Sequence, residues 1–219
     1  MNKLSPSILS ADFTELGSEI RLCEQNNVPY LHIDVMDGMF VPNISIGVPV
    51  VKSIRKITDL VLDVHLMIVE PQRYIEAFAN AGADIINIHY ESTAKENILP
   101  TLKSIRELGK SPALTIKPKT SYEDVIEYAP YVDMFLVMSV EPGFGGQSFI
   151  ESTLDNVRGL YNYKEQNNLK YDIEIDGGVG TSNLQKVLDA GANVIVAGSA
   201  IFGKKDKAAE INKFLSIME

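Results

Sequence analysis

Tyr30-Leu31-His32-Ile33-Asp34-Val35 is an apolar, β-branched run interrupted by two groups that carry chemistry. Side chains two apart on an extended strand project from one face, so His32 and Asp34 stand together, an imidazole beside a carboxylate. Asp63-Val64-His65 repeats the pairing on another apolar run, and Glu174-Ile175-Asp176-Gly177-Gly178 ends a third on carboxylates. All three histidines of the chain, His32, His65 and His89, fall toward the downstream ends of such runs. That is where a parallel barrel keeps its reactive groups.

On either side of this stretch, apolar runs recur at 4–9, 30–35, 60–68, 84–89, 112–116, 134–140, 171–175 and 194–197, giving eight candidate strands. Helical spacing fills most of the intervals, at 13–25, 72–81, 98–108, 150–166 and 182–190, and a polar-faced closing helix is predicted over 204–219. Three echoes, around Gly82, Gly109 and Gly191, place glycine where a helix ends just before the next strand. Continuous apolar strands predict a parallel sheet buried on both faces. Eight βα units predict an α/β fold, a single-domain (β/α)8 TIM barrel over residues 1–219, with an open α/β sheet as the rival. No linker or low-complexity tract divides the chain.

A net charge of −9 on 219 residues argues against a broad basic surface for nucleic acid or anionic membrane, and points to a small partner. Cys23 is the only cysteine, and the N-terminus shows no long apolar leader, so a cytoplasmic location is expected. No apolar run approaches the roughly 20 residues that span a bilayer.

In a barrel, His32, Asp34, His65 and Asp176 converge from three strand ends. Any one strand-end histidine reads equally well as a satisfied core residue. The four together read as a divalent metal site with mixed nitrogen and oxygen donors, because two neighbouring carboxylates need a compensating cation. His89 has no carboxylate two positions away on its own strand and is read as structural or outlying. Glu141-Pro142-Gly143-Phe144-Gly145-Gly146-Gln147 follows the sixth strand, and Gly198-Ser199 follows the eighth. Both read as ordinary turns in isolation, and as a phosphate cradle at these positions. Neither matches a P-loop or dinucleotide fingerprint. Met36, Met67 and Met138 either pack the core or cap the cavity with apolar atoms. Ser7 either caps a turn or donates to a substrate oxygen.

Taken in order, Ser5-Pro6-Ser7-Ile8-Leu9, His32 to Gly38, Phe40-Val41-Pro42-Asn43, His65-Leu66-Met67, Pro142 to Gln147 and Asp176-Gly177-Gly178 resemble the ribulose-phosphate 3-epimerase family nearly end to end. The resemblance implies a barrel of the ribulose-phosphate-binding type that interconverts D-ribulose 5-phosphate and D-xylulose 5-phosphate. It implies one divalent metal ion per chain, held by His32, Asp34, His65 and Asp176, with Asp34 and Asp176 also serving as the acid/base pair. It implies substrate contacts at Ser7, His65, Gly143, Phe144, Gly145, Gly146, Asp176, Gly177, Gly178, Gly198 and Ser199, and a homo-oligomer. The donor set suits zinc, iron(II), manganese or cobalt. Inverting a carbon beside a carbonyl needs one acid/base group on each face, and two aspartates from distant strands supply them. Lys117-Pro118-Lys119-Thr120-Ser121 and Glu141 depart from the family's commonest pattern, and neither position supplies a ligand or a catalytic aspartate. Rival expectations are a 3-epimerase of a hexulose phosphate such as allulose 6-phosphate, an aldolase or decarboxylase using Lys117, and a sugar-phosphate sensor without turnover. The last has no need of an acid and a base.

Overall fold

A computed structural model describes residues 2–219. All eight expected strands are present: β1 (Lys3–Pro6), β2 (Tyr30–Met36), β3 (Val61–Met67), β4 (Ile85–His89), β5 (Ser111–Ile116), β6 (Met134–Met138), β7 (Asp172–Asp176) and β8 (Val194–Ala197). They form one parallel sheet in the order β1-β8-β7-β6-β5-β4-β3-β2. A parallel bridge between Ser7 and His32 brings β1 back to β2 and rounds the sheet into a barrel.

The helices are α1 (Leu16–Gln25), α2 (Val48–Arg55), α3 (Ile75–Ala81), α4 (Lys95–Glu107), α5 (Leu154–Gln166), α6 (Leu184–Asp189), α7 (Ser199–Phe202) and α8 (Lys207–Met218). Three predicted helices, 13–25, 72–81 and 150–166, open instead as 3-10 turns at Phe13–Glu15, Pro71–Arg73 and Glu151–Thr153. The first strand stops short of its predicted end at 9. Ser7 caps a 3-10 turn over Ile8–Ser10, its hydroxyl accepting the Leu9 N–H at 3.3 Å. The helix α2 lies outside the sequence reading, being only two turns long with Pro49 in the first. Between β5 and β6 the crossover carries 3-10 turns, Tyr122–Asp124 and Ile126–Tyr131, and no α-helix. Gly82, Gly109 and Gly191 adopt φ of 107°, 73° and 108°, so all three predicted glycine turns reverse the chain through left-handed backbone.

The alternation of strand side chains sorts the interior from the helix layer. Leu31, Ile33, Leu62 and Val64 are fully buried in the large core cluster that includes side chains from the helices. Each contributes roughly 1.5–3 kcal/mol by leaving water. Their neighbours His32, Asp34, Asp63 and His65 are also buried, on the opposite strand face. The barrel floor is apolar at Ile85, Ala113, Met134 and Val194, and Lys3 pairs with Asp172 at 2.5 Å. Polar side chains begin at the waist, with Ser5, His32, Asp63, Asn87 and Glu174.

The left-handed turns are testable at Gly191, where an added Cβ would stand 2.6 Å from the Tyr161 ring. Gly191→Ala is expected to destabilise the protein by more than about 1 kcal/mol, through both φ strain and collision. Urea unfolding should show a lower midpoint at unchanged slope. An unshifted midpoint would rule out this backbone conformation.

Candidate active site

The register of β2 on β3 sets His32 opposite Asp63 and Asp34 opposite His65, which stacks two polar layers at the strand C-termini. On the far side, β6 and β7 set Met138 beside Asp176. Ser139 fastens the end of β7 there, its N–H donating to the Asp176 carbonyl at 2.7 Å and its hydroxyl to the Gly177 carbonyl at 2.6 Å.

The four expected ligands come together. One donor atom from each of His32, Asp34, His65 and Asp176 lies within 4.8 Å of the others. His32 Nε2 is 3.4 Å from Asp34 Oδ1 and 3.3 Å from His65 Nδ1, and His65 Nδ1 is 3.3 Å from Asp34 Oδ1. Tetrahedral ligands at metal bonds of 2.0–2.2 Å stand about 3.4 Å apart, so these three edges already match. Asp176 Oδ2 stands slightly farther away, 3.9 Å from His32 and 4.0 Å from His65. Two imidazoles and two carboxylates at these separations fit a divalent cation.

The electrostatics of the cluster point the same way. Burial opposes charge on Asp34, yet His32 and His65 outweigh it and hold the carboxyl far below its usual range. Burial and the Asp34 charge push Asp176 up to about 6. Burial also disfavours a His32 cation, but Asp34 and Asp63 hold this imidazole well above its ordinary value. A cation held by this cluster would compete with a proton on His32.

Support for these groups comes from Asp63, Ser7 and Asp37, of which only Ser7 carried an expected role. Asp63 Oδ2 lies 2.7 Å from His32 Nδ1, leaving Nε2 to face the other ligands. Period-two alternation marks Asp63 as inward-facing, but only the strand register reveals its partner. Ser7, expected to cap a turn or to donate to a substrate oxygen, caps its turn and donates its hydroxyl proton to Asp34 Oδ2 at 2.6 Å. Asp37 accepts the backbone N–H groups of Met39, Phe40 and Val69 at 2.8–2.9 Å, tying the loops after β2 and β3 together. These donors lower its carboxyl despite burial.

Above the cluster opens a cavity of about 310 Å³. Asp34 and Asp176 reach it, and Met36, Met67 and Met138 line it while also packing in small buried apolar clusters. Ser7, Gly143, Phe144, Gly145, Gly146, Gly177, Gly178, Gly198 and Ser199 also line the wall. His65 does not, because it is fully buried beneath. The glycine loop is braced by Asn43 Nδ2, donating to the Gly143 carbonyl at 2.8 Å, and by Gln147, donating to the carbonyls of Glu141 and Phe144. Gly178 is required by space as well as by its φ of 65°, since a Cβ would meet the Phe149 nitrogen at 2.6 Å. Lys117 is absent from the wall, and its ammonium sits 3.9 Å over the Phe40 ring. Glu141 contributes its carbonyl to the loop, with the residue itself exposed.

Comparison with known proteins agrees with this geometry. Residues 3–202 match the model of the ribulose-phosphate 3 epimerase family. The ribulose-phosphate 3-epimerase of Synechocystis sp. is 50% identical over 209 residues, covering 95% of this chain and 90% of that protein. That of Bacillus subtilis is 45% identical over 214 residues, covering 97% and 98%. Among solved structures, KGPDC from Streptococcus mutans superposes with a TM-score of 0.74 at 14% identity, covering 99% of this chain and 97% of that one, a likeness of fold alone. The extent of these matches, joined to the convergence of the four ligands, establishes that the chain belongs to the ribulose-phosphate 3-epimerase family.

Proposed function

We propose that this protein interconverts D-ribulose 5-phosphate and D-xylulose 5-phosphate by inverting C3. The observation behind the proposal is the pair Asp34 and Asp176, which reach one cavity from β2 and β7. One carboxylate removes the C3 proton, and the electrons of the C–H bond move toward the C2 carbonyl oxygen to give an enediolate. The other carboxyl returns a proton to the opposite face of C3, so the step is redox-neutral and needs no co-reactant. Which aspartate acts first depends on the direction of reaction. His32, Asp34, His65 and Asp176 would hold one divalent ion, which when bound supplies Lewis-acid stabilisation of negative charge on the substrate oxygens. The three methionines exclude water above the reacting carbon. Gly143–Gly146, Gly177, Gly178, Gly198 and Ser199 present backbone N–H groups on the wall to the phosphate.

Residues 1–219 act in this reading as one catalytic domain. Exposed apolar side chains at Met39 and Ile44, 80% and 76% accessible, support assembly into a homo-oligomer. The buried thiol of Cys23, pushed up to about 12 by burial, suits a cytoplasmic setting but does not demand it. Among the described residues no helix is long and apolar enough to cross a membrane.

Asp34→Asn and Asp176→Asn are each expected to lower turnover by at least 10²–10⁴-fold, on the order of an acid/base contribution, with the circular dichroism spectrum retained. Near-normal turnover in either would sink the two-carboxylate mechanism. Chelation should abolish activity and readdition of zinc, iron(II), manganese or cobalt restore it, whereas full activity in a verifiably metal-free sample would exclude a metal role. Exchange of the C3 proton with deuterated solvent, compared for ribulose 5-phosphate and allulose 6-phosphate, reads the substrate directly. Faster exchange with the hexulose phosphate would reassign the substrate, and exchange with neither would point to a sensor.

A further inference from the structure

His65 faces two ways. Its Nδ1 is turned toward His32 and Asp34, both 3.3 Å away, while its Nε2 stands 2.9 Å from Nε2 of His89. Two ring nitrogens at that distance share one proton, so one must donate and the other accept. The choice is made farther out. Nδ1 of His89 lies 3.1 Å from Glu91 Oε2. The other oxygen of that carboxylate accepts the Lys117 N–H at 2.7 Å and the Thr120 hydroxyl at 2.5 Å.

Each assignment forces the next. Both Lys117 N–H and the Thr120 hydroxyl donate to Glu91, and an ionised carboxylate only accepts, so Nδ1 of His89 must carry its proton. Nε2 of His89 is then a lone pair, and His65 donates to it through Nε2–H. The remaining lone pair of His65 lies on Nδ1, directed at the other three ligands. Packing holds the chain in line: the His65 and His89 rings stack with centroids 4.9 Å apart, and Phe40 covers His89 at 4.8 Å. Both histidines are fully buried, so bulk solvent does not compete for their ring nitrogens.

We propose that His89 and Glu91 are positioning residues that fix the tautomer of His65 and so present its Nδ1 as a metal ligand, with the segment after β5 holding Glu91 in place. The proposal rests on the metal reading of the site. It gives the Lys117-Pro118-Lys119-Thr120-Ser121 run a task, carried by one backbone N–H and one hydroxyl and not by the lysine ammonium. It also joins β3, β4 and β5 in one directional chain of hydrogen bonds that ends at the metal position.

Glu91→Gln tests it with almost no change in shape. The Lys117 N–H can only donate, so the single oxygen of the new side-chain amide must turn to it and the NH2 must face His89. That reverses the relay: Nε2 of His89 gains the proton, and His65 is driven to carry its own on Nδ1. With only three histidines in the chain, nitrogen-15 spectra of chelator-treated protein resolve each tautomer. The wild type is expected to show Nε2–H on His65 and Nδ1–H on His89. Glu91→Gln should swap both and weaken zinc affinity by about 10–100-fold, the usual cost of losing an outer partner, while Glu91→Asp keeps a carboxylate and the wild-type tautomers. Wild-type protein with His65 protonated at Nδ1, or a Glu91→Gln variant with unchanged tautomers and zinc affinity, would overturn the proposal. Should Glu91→Gln fail to fold, the wild-type spectrum decides alone. A wild type that takes up no zinc defeats the metal reading, and the same spectrum still decides the relay.

Discussion

Ionisable side chains packed against one another in a dry interior set the terms for everything else in this molecule. His32 stands between two carboxylate layers, Asp63 and Glu174 below it and Asp34 and Asp176 above. Carboxylates this close cannot all ionise without positive charge nearby. The lower pair resolves the conflict internally: burial and the Asp63 charge push Glu174 well above its usual range, which favours its neutral form, while Asp63 engages His32. The upper pair belongs to the group His32, Asp34, His65 and Asp176, whose donor atoms lie close enough together to hold a metal ion. Asn87 extends the lower layer laterally, accepting from Thr115 at 2.7 Å and reaching toward Glu174 at 3.4 Å. Three buried oxygens in this region, on Ser5, Asp63 and Glu174, remain without a hydrogen-bond partner. Such groups reduce stability, and their concentration beneath the ligands indicates that the waist is arranged for the site more than for the fold.

The fold and the convergence of His32, Asp34, His65 and Asp176 were legible because both follow from strand periodicity. His32 and Asp34 share a face by alternation, and barrel topology alone then carries His65 and Asp176 to the same end. Features set by register or by loop conformation were not legible. Asp63 meets His32 only because β2 and β3 pair in one particular alignment. Glu91 lies two positions beyond His89 but past the strand end, within the 3-10 turn Tyr90–Ser92, where strand alternation no longer says which way a side chain points. Asp37 collects three backbone donors from two loops, an arrangement without a fixed spacing. The helix α2 escaped notice for a different reason: eight residues give too few turns for a convincing apolar stripe.

The cavity combines a rigid base with a jointed rim. Below, every ligand sits on a strand, which is the more precise kind of platform for a reactive group. Above, the glycine loop is held to the loop after β2 through Asn43 and to itself through Gln147, while Phe144 stands 54% exposed at the lip. The wall of the cavity is thus largely glycine-rich loop, and its base is made of side chains carried on strands.

The barrel is also unevenly closed. Seven strand pairs are laddered, whereas β1 and β2 are joined at the single bridge of Ser7 and His32, beside the Ser7 hydroxyl that holds Asp34. The seam most easily opened by thermal motion therefore runs through the reactive layer itself. Whatever fills the cavity and fastens Asp34 acts as a rivet on the whole cylinder, so that occupancy of the centre and integrity of the scaffold are one equilibrium seen from two sides.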